Sequence, residues 1–272
     1  MNYRSDLKSL LFIFLNLFIL ILTKKVPLGF SSVLIIGFTS FFMFITFQIN
    51  HNLMHLYIFK NDFLNVFINC LLTICTGFPV TLLYLPHIIN HHPNSCNQQD
   101  WAGAHLVDGK KGIVRILKYI FLANIMITMK RPTNPFSSLP KQRQFSLALE
   151  FVCLILYIIF YFSTSPSQLF FHYLVPSFLA MNVLVFMNFF IHDDCDYNSI
   201  QHNSKTFTGK LGNFFLFNSG YHQAHHLQPK RHWSELPLYW QQEVNFQGKS
   251  KFEYPSMIKH FIATYFSELK SK

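Results

Sequence analysis

Apolar residues run through this chain in blocks long enough to cross a bilayer. A helix needs about 20 residues to span the ~30 Å hydrocarbon core. Residues 9–23, 28–49, 148–164 and 169–191 meet or nearly meet that length. Only KKVP separates the first two blocks and only SPSQ the last two, so each pair predicts a tight helical hairpin. The pattern predicts an all-α integral membrane protein: one domain over residues 1–272, with four transmembrane helices in two hairpins. The remainder, 50–146 and 192–272, forms a helical cap. Two more apolar runs, 63–85 and 113–129, lie inside the long connection, and the first is itself long enough to span.

Composition supports the membrane reading. Of 272 residues, 51% are hydrophobic and 12% charged, against about a quarter charged in soluble domains. The net charge of +10 needs no nucleic acid, since no basic stripe interleaved with aromatics lies outside the apolar runs. Lys60, Lys110, Lys111, Arg115, Lys118, Lys130, Arg131, Lys141 and Arg143 crowd the long connection. By the positive-inside rule the connection, the tail and both termini are cytosolic, in a bacterial inner membrane or the endoplasmic reticulum. Lys24 and Lys25, in the first hairpin turn, oppose that orientation. Cys70, Cys75, Cys96, Cys153 and Cys195 form no CxxC pair, which argues against a disulfide framework or a thiolate zinc site.

Histidine changes the picture. HNLMH holds His51 and His55, HIINHH holds His87, His91 and His92, and HQAHH holds His222, His225 and His226. His192 ends NFFIH, with Asn188 four residues before it. On a helix, i and i+4 project from nearly one face, so His51/His55, His87/His91, His222/His226 and Asn188/His192 each present two groups together. Adjacent histidines diverge by about 100° and suit two different metals. Eight or nine imidazoles exceed what one four-coordinate zinc uses, and imidazole alone does not choose among iron, copper, zinc and nickel. His105, His172, His232 and His260 stand alone and read as packed or solvent-facing. His51 and His192 directly follow apolar blocks, so the clusters can meet in one layer at the cytosolic surface only if 63–85 does not cross. That run is therefore expected to be interfacial or re-entrant.

HxxxH, HxxxHH and HxxHH, in this order around two hairpins, resemble the membrane fatty acid desaturase superfamily and its related hydroxylases. The resemblance extends from about Leu28 to Trp240, and HHLQPKRHWSELP is similar to the HHxxPxxHWxxLP tail of many members. Two features depart from common patterns. Three residues separate His87 from His91 where many members have two, which leaves open how His91 and His92 divide between the metals. The first box is HxxxH and not HxxxxH, which makes an acyl-lipid substrate as apt as an acyl thioester.

The resemblance implies two irons (Fe2+/Fe3+) held by His51, His55, His87, His91, His92, His192, His222, His225 and His226, with Asn188 as a weak or water-mediated ligand. It implies O2 as co-substrate and attack on an unactivated C–H bond of a membrane lipid or acyl chain, most simply fatty acid desaturation. Hydroxylation or ketolation of a lipid, alkane or carotenoid at the same site is the alternative. Asp100, Asp193, Asp194 and Asp196 are candidates to accept a hydrogen bond from the far nitrogen of a ligating imidazole, or else are solvated loop acids. A membrane zinc hydrolase is the rival class, but Asn52 stands where HExxH carries its general base. A metal transporter would place its ligands near the middle of its spans. No HPGG haem motif, iron–sulfur cysteine set or GxGxxG fingerprint is present, so electrons are expected from a separate ferredoxin or cytochrome b5 type carrier with its reductase. Lys110, Lys111, Arg115, Lys118, Lys230 and Arg231 offer a basic surface for it, and lipid headgroups are the other taker for those charges.

Overall fold

Long helices form over all four apolar blocks of the computed structural model, which describes residues 1–94, 97–196, 199, 202–244 and 252–266. They are α1 (Asp6–Lys24), α2 (Ser31–His55), α5 (Lys141–Thr164) and the stretch Pro166–His192, each long and apolar enough to cross a membrane. The last begins with a short turn and a π-helical segment, Leu169–Leu174, before α6 (Val175–His192). Between the second and third lie α3 (Asp62–Thr76) and α4 (Ile113–Lys130). After α6 come α7 (Lys210–Phe215), α8 (His222–Leu227) and α9 (Met257–Tyr265). Strands β1 (Thr206–Phe207) and β2 (Glu253–Tyr254) pair in parallel. Cys96 lies outside the described residues.

Helix α2 runs to His55 and not to the end of its apolar block at 49. The loss of hydropathy at Asn50 does not end a helix. No Gly or Pro occurs between Asn50 and His55, and Leu56 turns to extended geometry only after the first histidine box. The run 63–85 behaves differently. Gly77 caps α3 with φ 71°, a left-handed conformation that favours glycine, and Pro79 follows. The chain resumes at Val80 bent by 93°. This run therefore makes no single straight span.

The chain divides into two compact units, each built from two separate segments. The first comprises Met1–Leu85 and Pro132–Leu184. Polar side chains tie its helices together, as they do where lipid offers no competing partner. Asn16 on α1 donates to Thr46 Oγ1 on α2 at 2.7 Å and to the Cys75 carbonyl on α3 at 3.2 Å. His172 lies 3.0 Å from the Thr23 carbonyl and 3.1 Å from Ser32 Oγ, so this histidine is a packing residue. Fully buried Glu150 on α5 accepts from the Thr81 amide at 2.9 Å and the Ser146 hydroxyl at 2.8 Å. It thereby holds the 3-10 turn that follows the break at Gly77. Leu7, Leu11, Phe14 and Phe18 of α1 and Ile155, Ile159 and Phe162 of α5 are exposed, the outward apolar surface that a helix in lipid requires.

The second unit comprises Pro86–Arg131 and Val185–Lys272. Its core packs Ile116, Tyr119 and Ala123 of α4 against Val185, Phe189 and Phe190 of α6, with Phe207 and Tyr265. Tyr119 and Phe189 stack at 4.4 Å.

Candidate metal centre

The second histidine box sits on a π-helical turn, Leu85–His91. A π-turn closes i→i+5 bonds, so residues five apart come into line and residues four apart separate. His87 and His92 accordingly approach to 3.2 Å between their Nε2 atoms. His87 and His91 stay ring neighbours, stacked at 5.7 Å between centroids, but the nitrogen-to-nitrogen approach is made by His87 and His92, because the extra residue of the box is taken up by the wider turn.

The third box forms the short helix α8, where ordinary α spacing holds. His222 and His226 place their Nε2 atoms 3.0 Å apart. His225, a residue out of step, turns aside and stacks on His87 with ring centroids 6.2 Å apart. His192, the last residue of α6, brings its Nε2 to 3.1 Å from that of His222.

Within the second unit, ligand atoms of His91, His192, His222 and His226 all lie within 4.8 Å of one another. The first three of these side chains are buried. Two of the far nitrogens are committed. His91 Nδ1 meets Asp100 Oδ2 at 2.7 Å, and His192 Nδ1 meets the Asn203 carbonyl at 2.8 Å. Both partners only accept, so each imidazole carries its proton on Nδ1 and turns the Nε2 lone pair inward. The buried His91 Nε2 has no hydrogen-bond partner among the described residues. Burial pushes the Asp100 carboxyl up, but His91 and the Ala102 amide outweigh it and hold the carboxyl below its usual range. Burial, then the neighbouring His222, His192, His91 and His92, keep His226 well below the usual imidazole range, so its ring is neutral.

These residues fit a metal ion. Lone pairs converging in a buried space repel unless a cation or a proton lies between them, and two of the imidazoles have placed their protons elsewhere. With metal–nitrogen bonds of about 2.1 Å, nitrogens are about 3.4 Å apart in a tetrahedron and about 3.0 or 4.2 Å apart in an octahedron. His222 lies 3.1 Å from His192 and 3.0 Å from His226, close to the shorter octahedral spacing.

His87, His92 and His225 form a second cluster in the same unit, with His92 4.6 Å from His87 and 5.0 Å from His225 between ring centroids. In the first unit, His51 and His55 pair on the last turn of α2 at 5.6 Å between centroids. Asn188 donates its amide to the Ala102 carbonyl at 2.8 Å and to Tyr119 Oη at 3.2 Å, which fixes the side chain and leaves its oxygen to accept. Of the four acids, Asp100 meets a box imidazole, His91. Buried Asp193 instead accepts from Arg115 at 2.7 Å and from the Tyr265 hydroxyl at 2.5 Å. Asp194, with φ 60°, pairs with Lys111, and Asp196 is exposed. Arg115 thus belongs to a buried ion pair and not to a basic docking surface.

Sequence reasoning missed the roles of Asn203 and Tyr265 and placed Arg115 on a docking surface, where the structure pairs it with Asp193. The Asn203 contact is made by a backbone carbonyl, which any residue supplies and no residue type signals. Arg115 and Tyr265 carry a signal only in hindsight, as polar residues among apolar neighbours on α4 and α9.

No curated protein and no solved structure matches this chain. The family model for fatty acid desaturase matches residues 26–256, a stretch holding every histidine box, Asn188 and His192. The chain belongs to the fatty acid desaturase family.

Proposed function

We propose that the protein is an O2-dependent di-iron oxidoreductase that introduces a double bond into a membrane-borne fatty acyl chain, as an acyl lipid or acyl thioester. The observation that carries this reading is the convergence of His91, His192, His222 and His226 with the far nitrogens of His91 and His192 already bonded. In this reading those four residues hold one iron. His51, His55, His87, His92 and His225 hold a second, with the Asn188 oxygen a direct or water-mediated ligand. Bound iron would supply the activation of O2 and the removal of hydrogen from an unactivated C–H bond, which no side-chain base can deprotonate.

The residues of the chain have other tasks. Asp100 and the Asn203 carbonyl orient His91 and His192 and keep them neutral donors. Arg115, Asp193 and Tyr265 anchor the end of α6, so that His192 is held by more than its own backbone. Burial around His91 and His192 keeps water away from the lone pairs. Desaturation takes four electrons to reduce O2 to water. Two come from the C–H bonds and two, delivered one at a time, from a separate ferredoxin or cytochrome b5 type carrier, while two protons come from the solvent. The exposed Lys110 and Lys230 would meet it. The histidine boxes and both termini face the cytosol.

Metal analysis with product analysis tests this. Purified protein should hold close to two irons per chain, His222→Ala should lose iron while keeping its helix content, and lipids from expressing cells should gain a double bond. One zinc per chain in active protein would refute it.

A further inference from the structure

Helix α4 has two apolar faces. Ile116, Tyr119 and Ala123 are buried in the core of the second unit. Val114, Leu117, Phe121 and Met129 are 60–75% exposed, at steps of three, four and eight residues that keep them on one side of a helix. A contiguous exposed patch of large apolar side chains marks an interaction surface. Its rim is basic. Lys118 and Lys130 are exposed, and among the described residues neither forms a salt bridge. No acid occurs between Ile113 and Arg131; Asp108, upstream, is exposed, and Asp194 is paired with Lys111.

Packing says where this face lies. In the core of the second unit, α4 meets Val185–Ile191, the final turns of a helix long and apolar enough to cross a membrane. Those turns cover only ~10 Å of helix, so α4 sits beside the point where that helix leaves the hydrocarbon. A further span would pack along far more of α6. It would also carry Arg115, Lys118 and Lys130 within its own 18 residues.

We infer that α4 lies in the plane of the membrane and docks on an anionic lipid surface. The Val114, Leu117, Phe121 and Met129 face enters the acyl boundary, and Lys118 and Lys130 contact negatively charged headgroups. A helix with an apolar face and flanking lysines binds in this way, and basic groups gain most where the leaflet is anionic. The docking fixes the unit that carries the His91 cluster to the bilayer surface.

Spin labels on the full-length protein in nanodiscs test the inference, with native cysteines replaced. Single labels are introduced by Val114→Cys, Leu117→Cys and Phe121→Cys, with Lys110→Cys as the exposed reference. One set of discs is phosphatidylcholine alone and the other contains phosphatidylserine. The three face positions should lie roughly 5–10 Å below the phosphates, favouring collision with dissolved O2 over a water-soluble nickel chelate. Lys118→Glu with Lys130→Glu should raise nickel access at Phe121→Cys several-fold in phosphatidylserine discs and leave it unchanged in phosphatidylcholine. Nickel access at the face equal to that at Lys110→Cys would overturn the inference. A label depth near the bilayer midplane would do the same, as would spin–spin broadening that shows a second copy covering the face. An equal effect of charge reversal in both discs would remove the headgroup contact. None of these readouts uses iron or product, so the result is independent of the reaction proposed above.

Discussion

Asp100 and Asp193 are both fully buried carboxylates beside metal-candidate histidines, yet they do different things. Asp100 touches an imidazole; Asp193 touches Arg115 and Tyr265. Asp100→Asn keeps the shape of the side chain but lets the amide present its NH2 to His91 Nδ1, which weakens control of the tautomer. Loss of such a partner typically lowers metal affinity about 10–100-fold, so chelator competition should show that drop with little change in thermal stability. Asp193→Asn should do the reverse. It leaves the Arg115 guanidinium, 12% exposed, without its counter-charge, and removing one partner of a buried pair costs about 3–5 kcal/mol. The melting temperature in detergent should fall while chelator competition on the folded fraction changes less. Equal effects of the two substitutions on affinity would contradict this division. The sequence marked both acids only by their nearness to a box. It could not separate them, because the partners that take Asp193 away from the site, Arg115 and Tyr265, lie on α4 and α9, far away along the chain.

The elements were legible wherever hydropathy alone decides them. All four spans appear where the apolar blocks predict them, and Gly77 with Pro79 breaks the run that could not be a simple span if the boxes were to meet. The π-turn was not legible. Its signature is one surplus residue between His87 and His91, which looks like a spacing variant until the backbone is known. That extra residue makes a prediction. Ile89 is 51% exposed, so deleting it opens no cavity, and the box becomes HxxHH with an ordinary α-turn. The deletion should leave the helix content and thermal stability nearly unchanged and retain the bound metal, because either turn can aim the paired histidines. Deleting Leu53, 3% exposed and between His51 and His55 on a regular helix, should cost metal and stability together, since it rotates one histidine by about 100° and removes a core side chain. If the Ile89 deletion lost metal as fully as the Leu53 deletion, the π-turn would be a requirement of the site and not an accommodation.

At the scale of the whole molecule, sidedness and electron supply belong together, because a soluble carrier reaches only one face of the membrane. Lys60, Gln98 and Lys210 are exposed and adjoin the first, second and third boxes. Cysteines placed there should react with an impermeant maleimide from the cytosolic side alone, and labelling of one from the opposite side would rule out a common centre. In the proposed reaction the carrier docks on that face. Much of the basic surface legible in the sequence is engaged elsewhere: Arg115 by Asp193 and Lys111 by Asp194, with Arg231 lying 4.4 Å from the Tyr239 ring. Lys110 and Lys230 remain exposed for an acidic partner. Charges of opposite sign accelerate encounter over distances set by the Debye length, about 10 Å at 0.1 M salt. Turnover with an added carrier and reductase should therefore decline as salt rises from about 0.05 to 0.5 M, at fixed substrate. Lys110→Glu with Lys230→Glu should slow reduction at low salt, converge with the unaltered protein at high salt, and leave metal content alone. Electron transfer indifferent to both salt and charge reversal would place the docking surface elsewhere on the cytosolic face.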